Sequence, residues 1–222
     1  RSADFEGLHG FLADSLPEGW GYLVMRKRLA KLGLDIASLT PVERLALVGD
    51  SGRGALTFEP ATTPGADDDE ALDLDALAEE AEQIVAGEGG KLADVLAKLA
   101  GGSGGARPKV HVGFDAAGNA SVGAGEAAPG HPAWIVKFRA PDDPVDIGPL
   151  ESAYAMMAQA AGLEMSEHRL IAAKKGPGYF ATRRFDRPAP GLRLHMVSLS
   201  GALEAPAHTP SSYDTLLRAT RV

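Results

Sequence analysis

The sequence contains no cysteine, only 6% aromatic residues and no long uninterrupted apolar run. Without cysteine it can form no disulfide, no thiolate metal site and no cysteine nucleophile, which excludes zinc ribbons and cysteine proteases. No segment approaches the roughly 18 apolar residues of a membrane span, and residues 1–10 lack the apolar core of a signal peptide. We therefore expect a soluble protein of the reducing cytoplasm that makes no membrane contact.

Charge is unevenly distributed along the 222 residues, whose formal net charge is −8. Nine acids and no Lys or Arg lie between Asp67 and Glu82, so removing these nine charges leaves +1 for the rest of the chain. Such a run predicts a solvated linker leading into an exposed helix face, rather than an acidic docking tail. The chain begins with Arg1 instead of Met, and we expect it to be part of a longer product.

Local patterns predict a mainly helical first half. Apolar residues at helical spacing predict a helix over residues 11–34. Thr40 and Glu43 flank Pro41 in a capping-box pattern, which predicts a short helix through Leu47. The other elements predicted there are a strand over 55–59, a surface loop over 60–70, and helices around 77–85 and 92–99.

The second half is richer in short apolar runs separated by turn-forming residues, which predict strands. These strands are expected over 110–114, 134–138, 179–185 and 193–197, with a helix over 150–161 whose apolar residues lie on one face. The pattern predicts an α+β fold in which an antiparallel sheet carries one inserted helix. We place a domain boundary near Gly101, giving domains 1–100, with an acidic loop at 60–75, and 101–222.

The glycine-rich segment 101–109 (GGSGGARPK) is the most informative stretch for function. Glycines let backbone N–H groups approach phosphate oxygens closely, and Arg107 and Lys109 add positive charge. The segment matches neither a Walker A loop nor the GxGxxG pattern. Taken alone, it is explained better as a flexible Gly/Ser linker.

Lys137 interrupts an otherwise apolar strand, where burial of a lysine is costly without an anionic partner. It either reaches outward to solvent or meets a ligand or carboxylate. Glu151, in the first turn of the following helix, is suited to orient a phosphate-binding lysine, or is simply stabilised by the helix dipole. A basic run follows the later strand, and its spacing alone favours a surface cluster over a phosphate site: Arg183, Arg184 and Arg187.

These segments follow one another in the order found in the amino-terminal lobe of protein kinases: glycine loop, strand, strand with lysine, helix opening with glutamate, further strands. The sequence also resembles the HipA family of bacterial toxin kinases, and the resemblance spans nearly the whole chain. The segments that carry it are 11–21 (FLADSLPEGWG), 43–50 (ERLALVGD), 54–60 (GALTFEP), 104–110 (GGARPKV), 134–138 (WIVKF), 179–187 (YFATRRFDR) and 213–221 (YDTLLRATR).

The resemblance implies a serine/threonine protein kinase that acts as the toxin of a type II toxin–antitoxin pair. The implied cofactors are ATP and Mg²⁺, the latter held mainly by residues beyond the chain end. The implied partners are a HipB-like DNA-binding antitoxin, through which any DNA contact would run, and a substrate such as glutamyl-tRNA synthetase. Roles in nucleotide binding carry over to Gly104, Gly105, Ala106, Arg107, Lys109 and Lys137 for the phosphates, and to the backbone near Arg183 and Phe185 for adenine.

Two departures from the family pattern affect these expectations. The serine that the family autophosphorylates usually sits seven residues before the loop lysine, where this chain has Gly102, so Ser103 is the candidate instead. Its phosphorylation would add roughly two negative charges beside the nucleotide phosphates and expel the loop. Phosphoryl transfer also needs a catalytic Asp and metal-binding acids. After Asp186 the only acids are Glu204 and Asp214, neither in a suitable motif, so we assign no catalytic residue and expect no kinase activity from this chain alone.

Two other functions remain open from the sequence. A non-catalytic module that binds a kinase or an antitoxin would explain the missing acids, but it would not need the glycine loop and lysine. Direct nucleic-acid binding rests on one basic helix face, which lacks interleaved aromatics: Arg26, Lys27, Arg28 and Lys31. The six histidines lack metal-ligand spacing, and we assign no metal to them.

Overall fold

The computed structural model describes residues 5–62, 72–100, 102–122, 129–205 and 210–221. Within these residues it contains eight α-helices and one five-stranded antiparallel sheet, which confirms the α+β prediction. The boundary at Gly101 and residues 63–71 of the acidic loop lie outside the described residues. No helix of the described residues combines the length and the apolar character that crossing a membrane requires.

Five helices precede the sheet: α1 (Gly10–Ala13), α2 (Gly19–Lys31), α3 (Pro41–Val48), α4 (Leu74–Val85) and α5 (Ala93–Ala100). The single helix expected over 11–34 is therefore two helices, because the chain turns at residues 14–18, around Pro17. The capping box of α3 is confirmed: Thr40 Oγ1 accepts the Glu43 N–H, and the Glu43 carboxylate accepts the Thr40 N–H. The predictions of α4 and α5 are also confirmed.

The sheet comprises β1 (Lys109–Phe114), β2 (Ala120–Val122), β3 (Ala133–Lys137), β4 (His168–Ile171) and β5 (Tyr179–Arg183), in the order β2-β1-β3-β5-β4. Helix α6 (Ile147–Ala160) lies between β3 and β4 in the chain and packs against β4 and β5. Two short helices follow, α7 (Leu199–Leu203) and α8 (Tyr213–Ala219). The strands expected near 110–114, 134–138 and 179–185 are confirmed as β1, β3 and β5, although β5 ends at Arg183.

Two predicted strands are wrong. Residues 55–59 form no strand, and the Phe58 N–H donates to the Gly49 carbonyl of the preceding loop at 3.0 Å. Residues 193–197 also form no strand, and their backbone is held by the bond from the Leu194 N–H to the Asp186 carbonyl at 3.0 Å. Both segments make isolated backbone contacts with loops instead of lying along a strand edge.

The main core lies between one face of the sheet and helices α2, α4 and α5. Side chains alternate between the two faces of a strand. In β1 and β3 this alternation directs Val110, Val112, Trp134 and Val136 into the core. The intervening residues point to the opposite face of the sheet, where the candidate site lies.

The large apolar side chains of α6 are exposed. Tyr154 and Met157 are each 64% exposed and Leu150 is 40% exposed, whereas the buried positions of this helix are Gly148 and Ala155. Gly148 is buried because the helix approaches the backbone of residues 178–180 so closely that a Cβ there would overlap the Gly178 carbonyl. The helix therefore packs through its small residues and exposes its larger apolar side chains.

Candidate functional site

A pocket of about 280 Å³ opens on the face of the sheet opposite the main core. Six of the predicted site residues line it: Ser103, Gly104, Lys109, Lys137, Arg183 and Phe185. The other four lie outside the lining: Gly105, Ala106, Arg107 and Glu151. One further lining residue, Arg53, comes from the N-terminal half and was not predicted from the sequence.

Strand register brings the two lysines of the pocket together. Lys109 of β1 lies directly opposite Lys137 of β3, and Lys137 lies opposite Phe180 of β5. Because directly opposed residues share a face, both ammonium groups emerge on the same side of the sheet. His111, two residues after Lys109, lies on that face for the same reason.

Lys137 forms an ion pair with Glu151 of α6, with 3.0 Å between Nζ and Oε1. The side chains of Lys137 and Glu151 are 35% and 23% exposed, so the pair is accessible from the pocket side without being fully solvated. The Lys137 ammonium also lies 5.4 Å from the centre of the Phe180 ring. These contacts hold the ammonium at the pocket wall rather than letting it reach out into solvent.

Lys109 donates from Nζ to the Gly104 carbonyl at 2.6 Å. Burial and, to a smaller extent, the neighbouring positive charges of Lys137 and Arg53 together lower the pKa of Lys109 to about 8. Its ammonium therefore has too little negative charge around it, which favours an anion as an additional partner.

The glycine-rich loop is docked on the N-terminal half of the protein. The Trp20 N–H donates to the Gly105 carbonyl at 2.9 Å, and the Trp20 indole donates to the Lys109 carbonyl at 2.8 Å. Gly105 has φ +76°, a backbone conformation that favours glycine. A Cβ at Gly104 would overlap Arg53 Nη1 and Glu18 Oε1, so both side chains approach the backbone of this glycine closely. These contacts contradict a flexible linker over the described part of the loop.

Arg107 is engaged outside the pocket lining. Its guanidinium donates to both carboxylate oxygens of Asp143, with a shortest distance of 2.7 Å. The hydrogen bond to Asp143 raises the pKa of Arg107, and the same bond lowers the pKa of Asp143. Arg107 thus fastens the end of the glycine loop to the segment between β3 and α6.

Ser103 lines the pocket but is almost completely enclosed. It is 1% exposed, and its hydroxyl donates to the Ala100 carbonyl at 2.6 Å. Its backbone N–H donates to the same carbonyl at 2.8 Å. Phosphorylation of this hydroxyl would require the loop to leave its docked position.

The surface cluster expected at the end of β5 is wrong for two of its three arginines. Arg184 and Arg187 are 2% and 6% exposed, and both donate to the carboxylate of Asp186 at 2.8–3.0 Å. Burial alone would raise the pKa of Asp186, but the bonds and charge of Arg184 lower it to about 2. Arg183 remains at the surface, where its side chain is 38% exposed beside Glu167.

This buried cluster joins the end of β5 to the N-terminal loop 52–54. The Asp186 carboxylate accepts the Gly54 N–H at 2.9 Å, and Arg187 donates to the Gly54 carbonyl at 2.7 Å. Arg184 also lies 3.2 Å from the ring of His111, whose pKa is lowered well below its usual range by burial and by Arg184. Sequence reasoning missed the cluster, although an acid between two arginines was a visible signal for mutual pairing.

The pocket lining contains more basic than acidic side chains, although four of the basic ones form ion pairs with Glu18, Glu151, Glu167 and Asp186. Its five cationic residues are Arg53, Lys109, Lys137, Arg183 and Arg184, and its one acid is Asp186. Asp186 already accepts four hydrogen bonds, three from arginine and one from the Gly54 N–H. Among the described lining residues, therefore, no carboxylate is available to hold a metal ion.

The acidic face of α4 differs from the solvated face that was expected, and the basic face of α2 is partly paired with acids. Glu80 of α4 is 6% exposed and accepts the Gly90 N–H, so this face is not simply solvated. Other acids of that segment contact the turn between β4 and β5: Asp73 and Asp75 bind Lys174, and Glu79 binds Lys175. Asp75 also accepts a hydrogen bond from the Tyr179 hydroxyl, and Glu82 binds Arg139. On α2, Arg28 is 5% exposed and pairs with Asp94, as does Lys31, so the basic face is partly neutralised.

Comparison with known proteins places the two halves of the chain in one family. The model of the HipA N-terminal domain matches residues 1–59, and the model of the HipA-like C-terminal domain matches residues 101–222. A search of curated proteins found no match. The C-terminal match alone covers more than half of the chain and includes both pocket lysines and the buried cluster. The chain therefore belongs to the HipA family of toxin–antitoxin proteins.

Proposed function

We propose that the chain is the nucleotide-binding part of a HipA-like serine/threonine protein kinase and that its pocket binds the phosphate groups of ATP. The observation that carries this proposal is the pair of lysines in the lining: Lys109 and Lys137 lie opposite each other on one face of the sheet, and Lys109 forms no ion pair with a carboxylate of the described residues. A concave site of this charge in a chain of net charge −8 favours a small polyanion as its ligand.

The lysine and glutamate have complementary roles in this proposal. Lys137 would contact the phosphates, while Glu151 fixes the position of its ammonium through the 3.0 Å ion pair. Lys109 would supply a second positive charge from the adjacent strand, and Gly104 keeps the loop close to both. The chemistry that ATP supplies is a transferable phosphoryl group.

The end of β5 is suited to receive the adenine. Phe185 lies in the pocket lining with 61% of its surface exposed, which leaves its ring available for apolar contact. Neither its backbone N–H nor its carbonyl makes a hydrogen bond within the part of the chain that the structure describes. Both groups can therefore pair with the edge of a planar base.

The described pocket fits phosphate but does not fit Mg²⁺, because it offers no free carboxylate. Hard oxygen ligands are what Mg²⁺ requires, and Asp186 is held by two arginines. We therefore assign phosphate binding to these residues and no step of metal binding. In the same proposal, the parent protein phosphorylates a protein such as an aminoacyl-tRNA synthetase and is inhibited by a HipB-like antitoxin.

Titration with a fluorescent ATP analogue tests nucleotide binding directly. Lys137→Met should weaken binding by about 10- to 100-fold, since a hydrogen bond to a charged group contributes roughly 1.5–3 kcal/mol. Lys91→Met, at an exposed position outside the lining, is the matched control and should bind as the wild type does. Equal affinity for all three proteins would contradict the proposal.

The exposed apolar face of α6 favours one other function, that of a non-catalytic module that binds a kinase or antitoxin. Tyr154 and Met157 are suited to such an interface because large apolar groups there face solvent. Incubation of the full-length gene product with ATP, Mg²⁺ and glutamyl-tRNA synthetase distinguishes the two. Phosphate on either protein by mass spectrometry supports the kinase, and nucleotide binding without transfer supports the module.

A further inference from the structure

Arg53 is the contribution of the N-terminal half to the pocket. It lies between Gly52 and Gly54, and no sequence pattern around it predicted a binding role. Its side chain crosses to the glycine loop and lines the pocket with Lys109 and Lys137. The contact is so close that a Cβ at Gly104 would overlap Arg53 Nη1.

The guanidinium of Arg53 has donors to spare. Nη2 donates to the Asp14 carbonyl at 2.6 Å and lies 3.3 Å from the Glu18 carboxylate. Nε is enclosed without a hydrogen-bond partner, and Nη1 makes no hydrogen bond within the described residues. The unused Nη1 donors beside a glycine turn are suited to bind an oxyanion.

The position of Arg53 is fixed from behind by the buried cluster. Arg184 and Arg187 donate to the Gly52 carbonyl at 3.2 and 3.1 Å, and the Asp186 carboxylate accepts the Gly54 N–H at 2.9 Å. The backbone is therefore held on both sides of Arg53. A residue that binds a ligand in a defined geometry needs such support from neighbouring groups.

We propose that Arg53 is a phosphate-binding residue, which makes the N-terminal half part of the nucleotide site instead of a separate unit. Its guanidinium lies beside Gly104 while the Lys109 ammonium donates to the Gly104 carbonyl, so both cations lie at the same turn. An incoming phosphate chain binds to both and to Lys137. This inference rests on the proposed nucleotide binding. It adds Arg53 to a phosphate site that Lys109 and Lys137 could form without it.

Binding assays with the fluorescent ATP analogue, and competition by inorganic triphosphate, test the inference. Arg53→Met should weaken both ligands by about 10-fold or more, because it removes a charge-assisted contact. Arg53→Lys should restore part of the affinity. Arg26→Met, at an exposed position on α2 away from the pocket, is the matched control and should leave both affinities unchanged.

Glu18→Gln separates ligand binding from loop docking. Glu18 lies 3.3 Å from Arg53 and would repel a phosphate, so its neutralisation should tighten binding by about 2- to 5-fold if Arg53 contacts the ligand. If Arg53 only docks the loop, loss of its carboxylate partner should weaken binding. Weaker binding by Glu18→Gln overturns the inference.

The reactivity of Lys109 gives an independent readout. Because the charge of Arg53 is one cause of the lowered pKa of Lys109, Arg53→Met should move the midpoint of Lys109 acylation, followed by peptide mass spectrometry, to higher pH. Wild-type affinity of Arg53→Met together with loss of binding by Lys137→Met would overturn the role of Arg53 and keep the proposed function. Wild-type affinity of Lys137→Met as well would overturn the proposed function itself.

Discussion

Replacement of Asp186 by Asn tests a buried carboxylate that connects the end of β5 with the loop 52–54. The carboxylate is 7% exposed and accepts four hydrogen bonds, from Arg184 Nε and Nη2, Arg187 Nη1 and the Gly54 N–H. Asn preserves the shape but leaves two buried guanidinium groups without their counter-charge. Breaking a buried ion pair by removing one partner costs about 3–5 kcal/mol of unfolding free energy.

The pKa of Asp186 gives a second measure of the same interaction. Although burial alone would raise it, the bonds and charge of Arg184 lower the pKa of Asp186 from 3.8 to about 2. This difference corresponds to about 2.5 kcal/mol in favour of the charged form. Since the pKa is lowered on folding, that stability is present above pH 3.8 and is lost as the pH falls toward 2. The stability of Asp186→Asn should therefore fall less than that of the wild type as the pH is lowered from about 4 to 2.

Urea unfolding followed by tryptophan fluorescence measures the cost, because Trp20 and Trp134 are both buried. Asp142→Asn, at an exposed position, is the matched control and should change stability by less than about 0.5 kcal/mol. Hydrogen exchange adds a local readout, since the Gly54 N–H should lose protection in Asp186→Asn. A loss below about 1 kcal/mol with unchanged Gly54 exchange would refute the assignment of the cluster as a tie between the two halves.

Two further predictions concern features nearer the surface. Thr40→Ala removes the hydroxyl that caps α3 and should lower the free energy of unfolding by about 1 kcal/mol. Thr40→Ser keeps a hydroxyl and should retain most of the wild-type stability. Equal stabilities of all three proteins in urea would contradict the capping box. Lys174 pairs with Asp73, the N-cap of α4, and Lys175 pairs with Glu79 of α4. Replacing both lysines by Ala should lower the melting temperature slightly at low salt and not at about 1 M NaCl, where screening acts over roughly 3 Å. A loss that persists at high salt would show that these lysines act by packing.

Patterns that depend on near neighbours in the chain were predictable from the sequence. The capping box at Thr40 involves groups three residues apart, and its geometry follows from that spacing alone. The apolar periodicity of α4 and α5 identified them for a similar reason. The central strands β1 and β3 were also predictable, because both are rich in β-branched and aromatic residues.

Features set by distant partners were not predictable in this way. Residues 55–59 alternate as a strand does, but the fold provides no neighbouring strand for them. The short edge strand β4 was missed because only its pairing with β5 distinguishes it from a loop. Burial of Arg184 and Arg187 contradicts the usual exposure of arginine, and depends on Asp186 and on the carbonyls of the distant Gly52 and Gly54.

The same distant contacts connect stability with the proposed binding site. Arg53 reaches the pocket only because the residues on either side of it are held by Arg184, Arg187 and Asp186. A change that releases this loop should therefore weaken phosphate binding even when Arg53 and both pocket lysines are intact. Since Asp186 accepts all its hydrogen bonds from protein groups, that effect would reach the ligand through the position of Arg53, and the buried cluster would thereby influence the affinity of the neighbouring phosphate site.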